Sequence, residues 1–171
     1  MPNILPPFNL QNWIDENRHL LKPPVGNREL YTESGDYIVM VVGGPNSRID
    51  YHTNHGEELF YQLEGEITVK IVVDGQHQDV VIRAGEMFLL PSLVPHSPRR
   101  GPDTIGLVIE RKRSNQEEDG FGWYCDNCGN LLHQEHAHVT DIVRQLPPIM
   151  NAFKENLDHR TCKQCGTVKT V

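Results

Sequence analysis

No stretch of this 171-residue sequence approaches the roughly 18 consecutive apolar residues that a membrane-spanning helix needs. The start, Met1 to Pro7, lacks both a basic segment and a long apolar run, so no export signal is expected. Basic residues are in the minority, 16 Lys and Arg against 23 Asp and Glu, and a net charge of −7 argues against a broad phosphate-binding surface. Cysteine is scarce too. All four cysteines fall in two Cys-x-x-Cys pairs, Cys125/Cys128 and Cys162/Cys165, which leaves none for a disulfide framework and points to a reducing compartment, the cytoplasm. The apolar share of 37% is modest but above the range of disordered chains. The length suits one main domain with room for a small appendage. No nucleic acid and no membrane are expected as partners.

What is present changes texture along the chain. Asn9 to Leu21 places Trp13, Ile14, Leu20 and Leu21 at roughly helical spacing and stops at Lys22-Pro23-Pro24, which predicts a short N-terminal helix. From Arg28 to Arg113 come short β-branched runs: 37–42, 67–73, 79–82, 87–90 and 105–109. Turn signals separate them at Gly43-Gly44-Pro45-Asn46, Asp74-Gly75, Ala84-Gly85 and Gly101-Pro102-Asp103. Many short strands at such spacing predict an antiparallel barrel or jelly roll whose mouth holds one small ligand. Ser114 to Gly120 reads as a polar linker, and Pro147 to Leu157 as a helix with Ile149, Met150, Phe153 and Leu157 on one side. The expected division is 1–113 for the barrel with its N-terminal helix and 114–171 for the linker and cysteine region.

Histidine and carboxylate gather at two places. His52, His55, Glu57 and Glu58 precede a strand, and His96 follows the run 87–90. Two imidazoles and one carboxylate on one face of a metal leave positions open for substrate and oxygen, as in the facial triads of non-haem iron(II) oxygenases. Both His52 and His55 are within reach of such a site. Adjacent strand residues point to opposite faces, so only one of Glu57 and Glu58 can serve.

Glu58, six residues and then Gly65 resembles the end of the first cupin motif, and Gly85, five residues, Pro91 and then His96 resembles the second. That spacing selects Glu58. Two positions depart from the motifs: Asn54 stands where the first has its second histidine, and Leu93 where the second usually has glycine. Loss of the fourth ligand favours a three-ligand site. A narrower resemblance runs along nearly the whole chain. It rests on Leu21-Lys22-Pro23-Pro24-Val25-Gly26-Asn27, Val42-Gly43-Gly44-Pro45-Asn46, Arg48-Ile49-Asp50-Tyr51-His52, Leu89-Leu90-Pro91, His96-Ser97-Pro98, Val108-Ile109-Glu110-Arg111 and Trp123-Tyr124-Cys125. Together these strings are similar to the 3-hydroxyanthranilate 3,4-dioxygenase family of cupins.

The resemblance implies a mainly β cupin-type antiparallel barrel with an N-terminal helix and a small C-terminal metal-binding subdomain. It implies an iron(II)-dependent, extradiol-type dioxygenase that opens 3-hydroxyanthranilate with O2 to 2-amino-3-carboxymuconate semialdehyde, a precursor of quinolinate and NAD. It further implies that His52, Glu58 and His96 hold the catalytic iron, that Arg48 lies by the oxygen position, that Arg100 and Glu110 contact substrate, and that the chain is a homodimer. The residue types suit these roles, since an anthranilate wants a guanidinium fork for its carboxylate and a carboxylate acceptor for its ring substituents.

Cys125-Asp126-Asn127-Cys128-Gly129 and Cys162-Lys163-Gln164-Cys165-Gly166 repeat one knuckle, with 33 residues between the two, and four thiolates so arranged bind zinc or a single iron. Such a site can fold a small polar region that lacks a core of its own. The resemblance implies a rubredoxin-like iron there, remote from the catalytic iron. His133, His136 and His138 lie between the knuckles and read as surface residues. Two other classes remain open: a cupin isomerase, which needs the triad but not Arg48, Arg100 and Glu110 together, and a ligand sensor carrying a zinc ribbon.

Overall fold

The β-branched runs become strands, and period-two alternation sorts each strand's residues between two faces. In the computed structural model, which describes residues 4, 6–23, 26–140 and 142–171 apart from the side chains of Ile142 and Val143, eleven strands form two antiparallel sheets. Met1, Pro2, Asn3 and Leu5 of the N-terminal segment, and Pro24 and Val25 of the first family-like string, lie outside the described residues.

The first sheet takes β1 (Asn27–Glu29), β2 (Tyr37–Gly43), β9 (Ile105–Arg111), β4 (Glu58–Glu64) and β7 (Met87–Leu90) in the order β1-β2-β9-β4-β7. The second takes β3 (Tyr51–Thr53), β5 (Glu66–Val73), β6 (Gln76–Arg83), β8 (His96–Arg100), β10 (Asp119–Tyr124) and β11 (Leu131–Ala137) in the order β11-β10-β3-β8-β5-β6. Neighbours in each sheet are non-consecutive as well as consecutive in the chain, as in a jelly roll. The expected cupin-type barrel is present.

Between the sheets, Phe60, Val69, Ile71, Ile82, Leu90 and Val108 form one buried cluster. Gly65 joins β4 to β5 at φ +68°, where a Cβ would come within 2.9 Å of Thr104 Cγ2, so the last residue of the first motif is held by both conformation and space. Asp74 and Gly75, with φ of 50° and 73°, turn β5 into β6 as a primed hairpin turn demands. Leu93 occupies the left-handed region at φ +65°, the conformation a glycine there would supply at no steric cost.

The N-terminal helix is as expected in place. α1 (Leu10–Asn17) is capped by Asn9, whose side chain accepts from the Asn12 N–H, and it continues as a 3-10 turn to Leu20. Its fully buried Ile14 packs with Leu21, Val41 and Ile105 on the outer face of the first sheet. Truncating so enclosed an isoleucine to alanine costs about 2–5 kcal/mol.

The C-terminal helix differs from the expectation. α2 runs over Ile142–Glu155 with Pro147 and Pro148 inside it, and Leu157 is exposed at the start of a separate short helix, α3 (Leu157–Arg160), capped by Asn156. Prolines normally end a helix. Here Leu146, Ile149, Met150 and Phe153 pack on Phe121 and Trp123 of β10, and this shared apolar face carries the helix through them.

Candidate metal and substrate site

Strand register builds the site. Glu58 on β4 lies opposite Glu110 on β9, while His52 on β3 lies opposite His96 on β8 and opposite Phe121 on β10. Cross-strand partners share a face, so two carboxylates from one sheet meet two imidazoles from the other in the barrel interior. One ligand atom from each of His52, Glu58 and His96 lies within 4.8 Å of the others, and all three residues are buried. His55 is exposed and stands outside the cluster, so the structure brings His52 and not His55 to Glu58 and His96.

The donor set fits a metal. His96 donates Nδ1–H to the Val94 carbonyl at 3.0 Å, which leaves Nε2 with its lone pair. That Nε2 stands 2.9 Å from Glu58 Oε2, yet this buried oxygen has no hydrogen-bond partner. Close approach of two ligand atoms without a hydrogen bond between them is the arrangement a cation would satisfy. Burial pushes the Glu58 carboxyl up, but positive charge beside it, on a protonated His96 above all and also on His52 and Arg48, holds it down at about 2; a cation would supply that charge in place of the His96 proton. His52 stacks on Phe121 with ring centroids 5.4 Å apart, and its Nε2 faces Asp119 Oδ2 at 2.7 Å.

The residues expected to serve substrate and oxygen surround the triad. Glu110 is buried, accepts from Asn54 Nδ2 (3.2 Å) and pairs with Arg113 Nη1 (2.8 Å). Its burial and the Glu58 charge push its pKa up to about 7, against the pull of Arg113. Asn54 thus stands at the motif's missing histidine as a donor to Glu110.

Arg100 is buried and donates to Gln62 Oε1 (3.3 Å), and no carboxylate among the described residues pairs with it. Desolvation lowers its pKa to about 10, so it stays charged at neutral pH. Arg48 pairs with buried Asp50 (2.6 Å) and also feels the charges of Glu58 and Glu110. A pocket of about 530 Å3, lined in part by Asn27, Val42, Asn46 and Ser47, opens beside these arginines, since Asn46 exchanges hydrogen bonds with the Arg100 backbone. The triad itself does not line it.

Asp50, Gln62, Arg113 and Asp119 were not found by sequence reasoning. Parity on the strands could have found Asp50 and Gln62, two positions from His52 and four from Glu58. Arg113 precedes, and Asp119 lies within, the segment that reads as a polar linker, and nothing local distinguishes them.

The four cysteines come together at the other end of β10. Cys125 and Cys165 Sγ are 3.6 Å apart and Cys128 and Cys162 Sγ 3.5 Å, close to the edge of about 3.8 Å in a tetrahedron of ~2.3 Å metal–sulfur bonds. The knuckles are equivalent: the Gly129 and Gly166 N–H groups each donate to the carbonyl of the first cysteine at 2.9 Å. The barrel docks on one of them through His77 Nε2 and the Gly129 carbonyl (3.0 Å). Of the histidines between the knuckles, His136 is exposed as expected. His133, on β11 beside β10, is half-buried in a stack with Trp123 and His159, and His138, just past the end of β11, bonds the Glu117 carbonyl.

Comparison with known proteins gives a consistent result. A family model, 3-hydroxyanthranilic acid dioxygenase, matches residues 2–154. A protein of Xanthomonas euvesicatoria pv. vesicatoria named 3-hydroxyanthranilate 3,4-dioxygenase is 50% identical over 163 residues, 95% of this chain and 92% of its own. Proteins of the same name from Neurospora crassa and from Jannaschia sp. are 48% and 52% identical, covering 95% and 94% of this chain and 89% of each of theirs.

Proposed function

We propose residue roles that follow from one premise: the chain belongs to the 3-hydroxyanthranilic acid dioxygenase family. It is a dioxygenase whose substrate is 3-hydroxyanthranilate, opened with O2, and the product expected of that reaction is 2-amino-3-carboxymuconate semialdehyde, on the way to quinolinate and NAD. His52, Glu58 and His96 are assigned as the ligands of iron(II). The observation that supports this most is the orphaned, buried Glu58 Oε2 beside His96 Nε2. An iron bound there would supply the open positions at which substrate and O2 exchange electrons.

The chain's own groups have distinct tasks. Arg100, charged and free of any carboxylate among the described residues, receives the substrate carboxylate with its planar fork. Glu110 faces Glu58 across the strands and takes up a proton as the substrate's ring substituent ionises; a pKa near neutrality suits that exchange. Arg48, held in place by Asp50, meets negative charge as it develops on oxygen. Burial keeps water from Arg100 and Glu110, while Arg48 stays partly exposed.

The four-cysteine cluster is assigned a second metal, iron or zinc, whose binding organises the region after β10. A second copy of the chain is assigned to the uncovered part of the first sheet's outer face. There Leu89, Leu59, Ile109 and Val39 lie side by side and Met87, Leu89 and Tyr37 are exposed, beyond the reach of α1. The reduced cysteine cluster supports a cytoplasmic location. Metal analysis tests the ligand assignment: His96→Ala should retain the cysteine-site metal and lose the other, and a variant that keeps the parent's full metal content contradicts it.

A further inference from the structure

Between β9 and β10 the chain crosses from the first sheet to the second through a turn closed by its own bonds. Glu117 accepts from both Arg111 Nη atoms (2.6 and 3.0 Å) and from the Ser114 N–H (2.7 Å). The two residues that flank this turn, Arg113 and Asp119, are almost wholly enclosed, with side-chain exposures of 6% and 0%. A buried ion pair between them would explain nothing about function by itself. Its further partners do, because the pair does not stop at itself.

Arg113 Nε and Nη2 donate to the Asp119 carboxylate (3.0 and 2.8 Å), while its Nη1 reaches Glu110 Oε2 at 2.8 Å. Asp119 Oδ2 in turn lies 2.7 Å from His52 Nε2. One guanidinium therefore ties the carboxylate behind a triad histidine to the carboxylate that faces the substrate. Buried ion chains of this kind are rarely favoured over apolar packing on stability grounds, since desolvation offsets most of the attraction. What such a chain does supply is fixed geometry: a carboxylate behind a metal-binding imidazole sets the ring's orientation and strengthens it as a ligand.

We propose that Asp119 and Arg113 are positioning residues of the dioxygenase site, Asp119 holding the ring of His52 and Arg113 holding Asp119 and Glu110 in one frame, so that metal affinity and substrate affinity depend on the same buried fork. The inference rests on the assignment of His52 as a metal ligand and Glu110 as a substrate contact. Neither Asp119 nor Arg113 is placed on the substrate or the metal. Each acts through another residue.

The test is cobalt(II) titration of the full chain whose cysteine site has first been filled with zinc, with steady-state kinetics measured separately on the same protein at saturating iron(II). Asp119→Asn keeps the shape and removes the charge. It should weaken cobalt binding by about 10- to 100-fold and raise KM for 3-hydroxyanthranilate severalfold, in a chain that still unfolds cooperatively though at a lower melting temperature, because a buried charge loses its partner. Asp119→Glu should recover part of the metal affinity. If Asp119→Asn does not fold, Arg113→Lys carries the same test, because lysine keeps the charge but cannot hold both carboxylates with one planar fork; metal affinity and KM should both worsen. Parent-like metal affinity and KM in the folded variant overturn the proposal. A His52→Ala control keeps the premises separate: if it binds cobalt as the parent does, the ligand assignment itself is wrong, whereas loss of cobalt there with no effect at Asp119 rejects this inference alone.

Discussion

Gly106→Ala is a one-carbon change that should damage substrate binding without damaging the fold. Gly106 sits on β9, opposite Gln62 on β4. A Cβ at this position would stand 2.7 Å from Gln62 Oε1 and 3.1 Å from Arg100 Nη1. The first contact is too short to survive, so the Gln62 amide must move. It is not free to do so at no cost: its Nε2 donates to the Glu64 carbonyl (2.7 Å) and its Oε1 accepts from Arg100 (3.3 Å). Displacing that amide releases Arg100 from the orientation in which its fork faces the interior. A hydrogen bond to a charged group contributes ~1.5–3 kcal/mol, and at about 1.4 kcal/mol per tenfold the loss of one such bond to substrate amounts to roughly a ten- to hundredfold rise in KM. The assay is steady-state oxygen uptake with 3-hydroxyanthranilate and, in parallel, with 2-aminophenol, which lacks the carboxylate. The variant should lose most of its preference for the carboxylated substrate and little of its activity on the other. An unchanged KM for 3-hydroxyanthranilate, or equal losses on both compounds, would refute the role given to Arg100 and its Gln62 support.

Leu93→Gly should raise stability by about 1 kcal/mol, since Leu93 is exposed and holds a left-handed conformation that costs roughly 1–2 kcal/mol for a residue with a Cβ; urea denaturation at neutral pH measures it, and a lowered midpoint contradicts it. Glu110, with its pKa raised from 4.5 to about 7 by burial and Glu58, makes the metal-free fold prefer the protonated acid. Stability of the metal-free protein should therefore fall as pH rises between those values and level off above them, and Glu110→Gln should flatten that slope when denaturation is followed across pH. Leu89→Lys places a charge in the middle of the uncovered outer face. Sedimentation should show dimer in the parent and monomer in the variant, and a monomeric parent removes the dimer assignment.

The elements of the barrel were legible where the chain alternates strongly. The run 87–90 is a strand with the expected bounds, and 67–73 and 105–109 differ only at their ends. β3 and β8 were not, because strands of three and five residues, Tyr-His-Thr and His-Ser-Pro-Arg-Arg, have too little apolar periodicity to register as strands. Yet these two carry the histidines. The gathering of His52, Glu58 and His96 was legible for a different reason: the spacings from Glu58 to Gly65 and from Gly85 to His96 resemble the cupin motifs. The frame behind that set was not. Arg113 and Asp119 join residues from both sheets through a turn that looks like any polar connector, and only the fold brings Asp119 to His52, 67 positions away in sequence. The C-terminal helix was misplaced because prolines 147 and 148 read as a start, whereas packing on Trp123 and Phe121 decides where the helix lies.

Oxygen uptake tests the central assignment most directly. The purified chain is reconstituted with iron(II) without air, mixed with 3-hydroxyanthranilate and then with O2, while oxygen consumption and the absorbance of the ring-opened product are followed together. The expected result is equal amounts of oxygen consumed and ring opened, abolished in His96→Ala. No consumption with iron demonstrably bound at the triad, or full turnover in His96→Ala, would contradict the assignment.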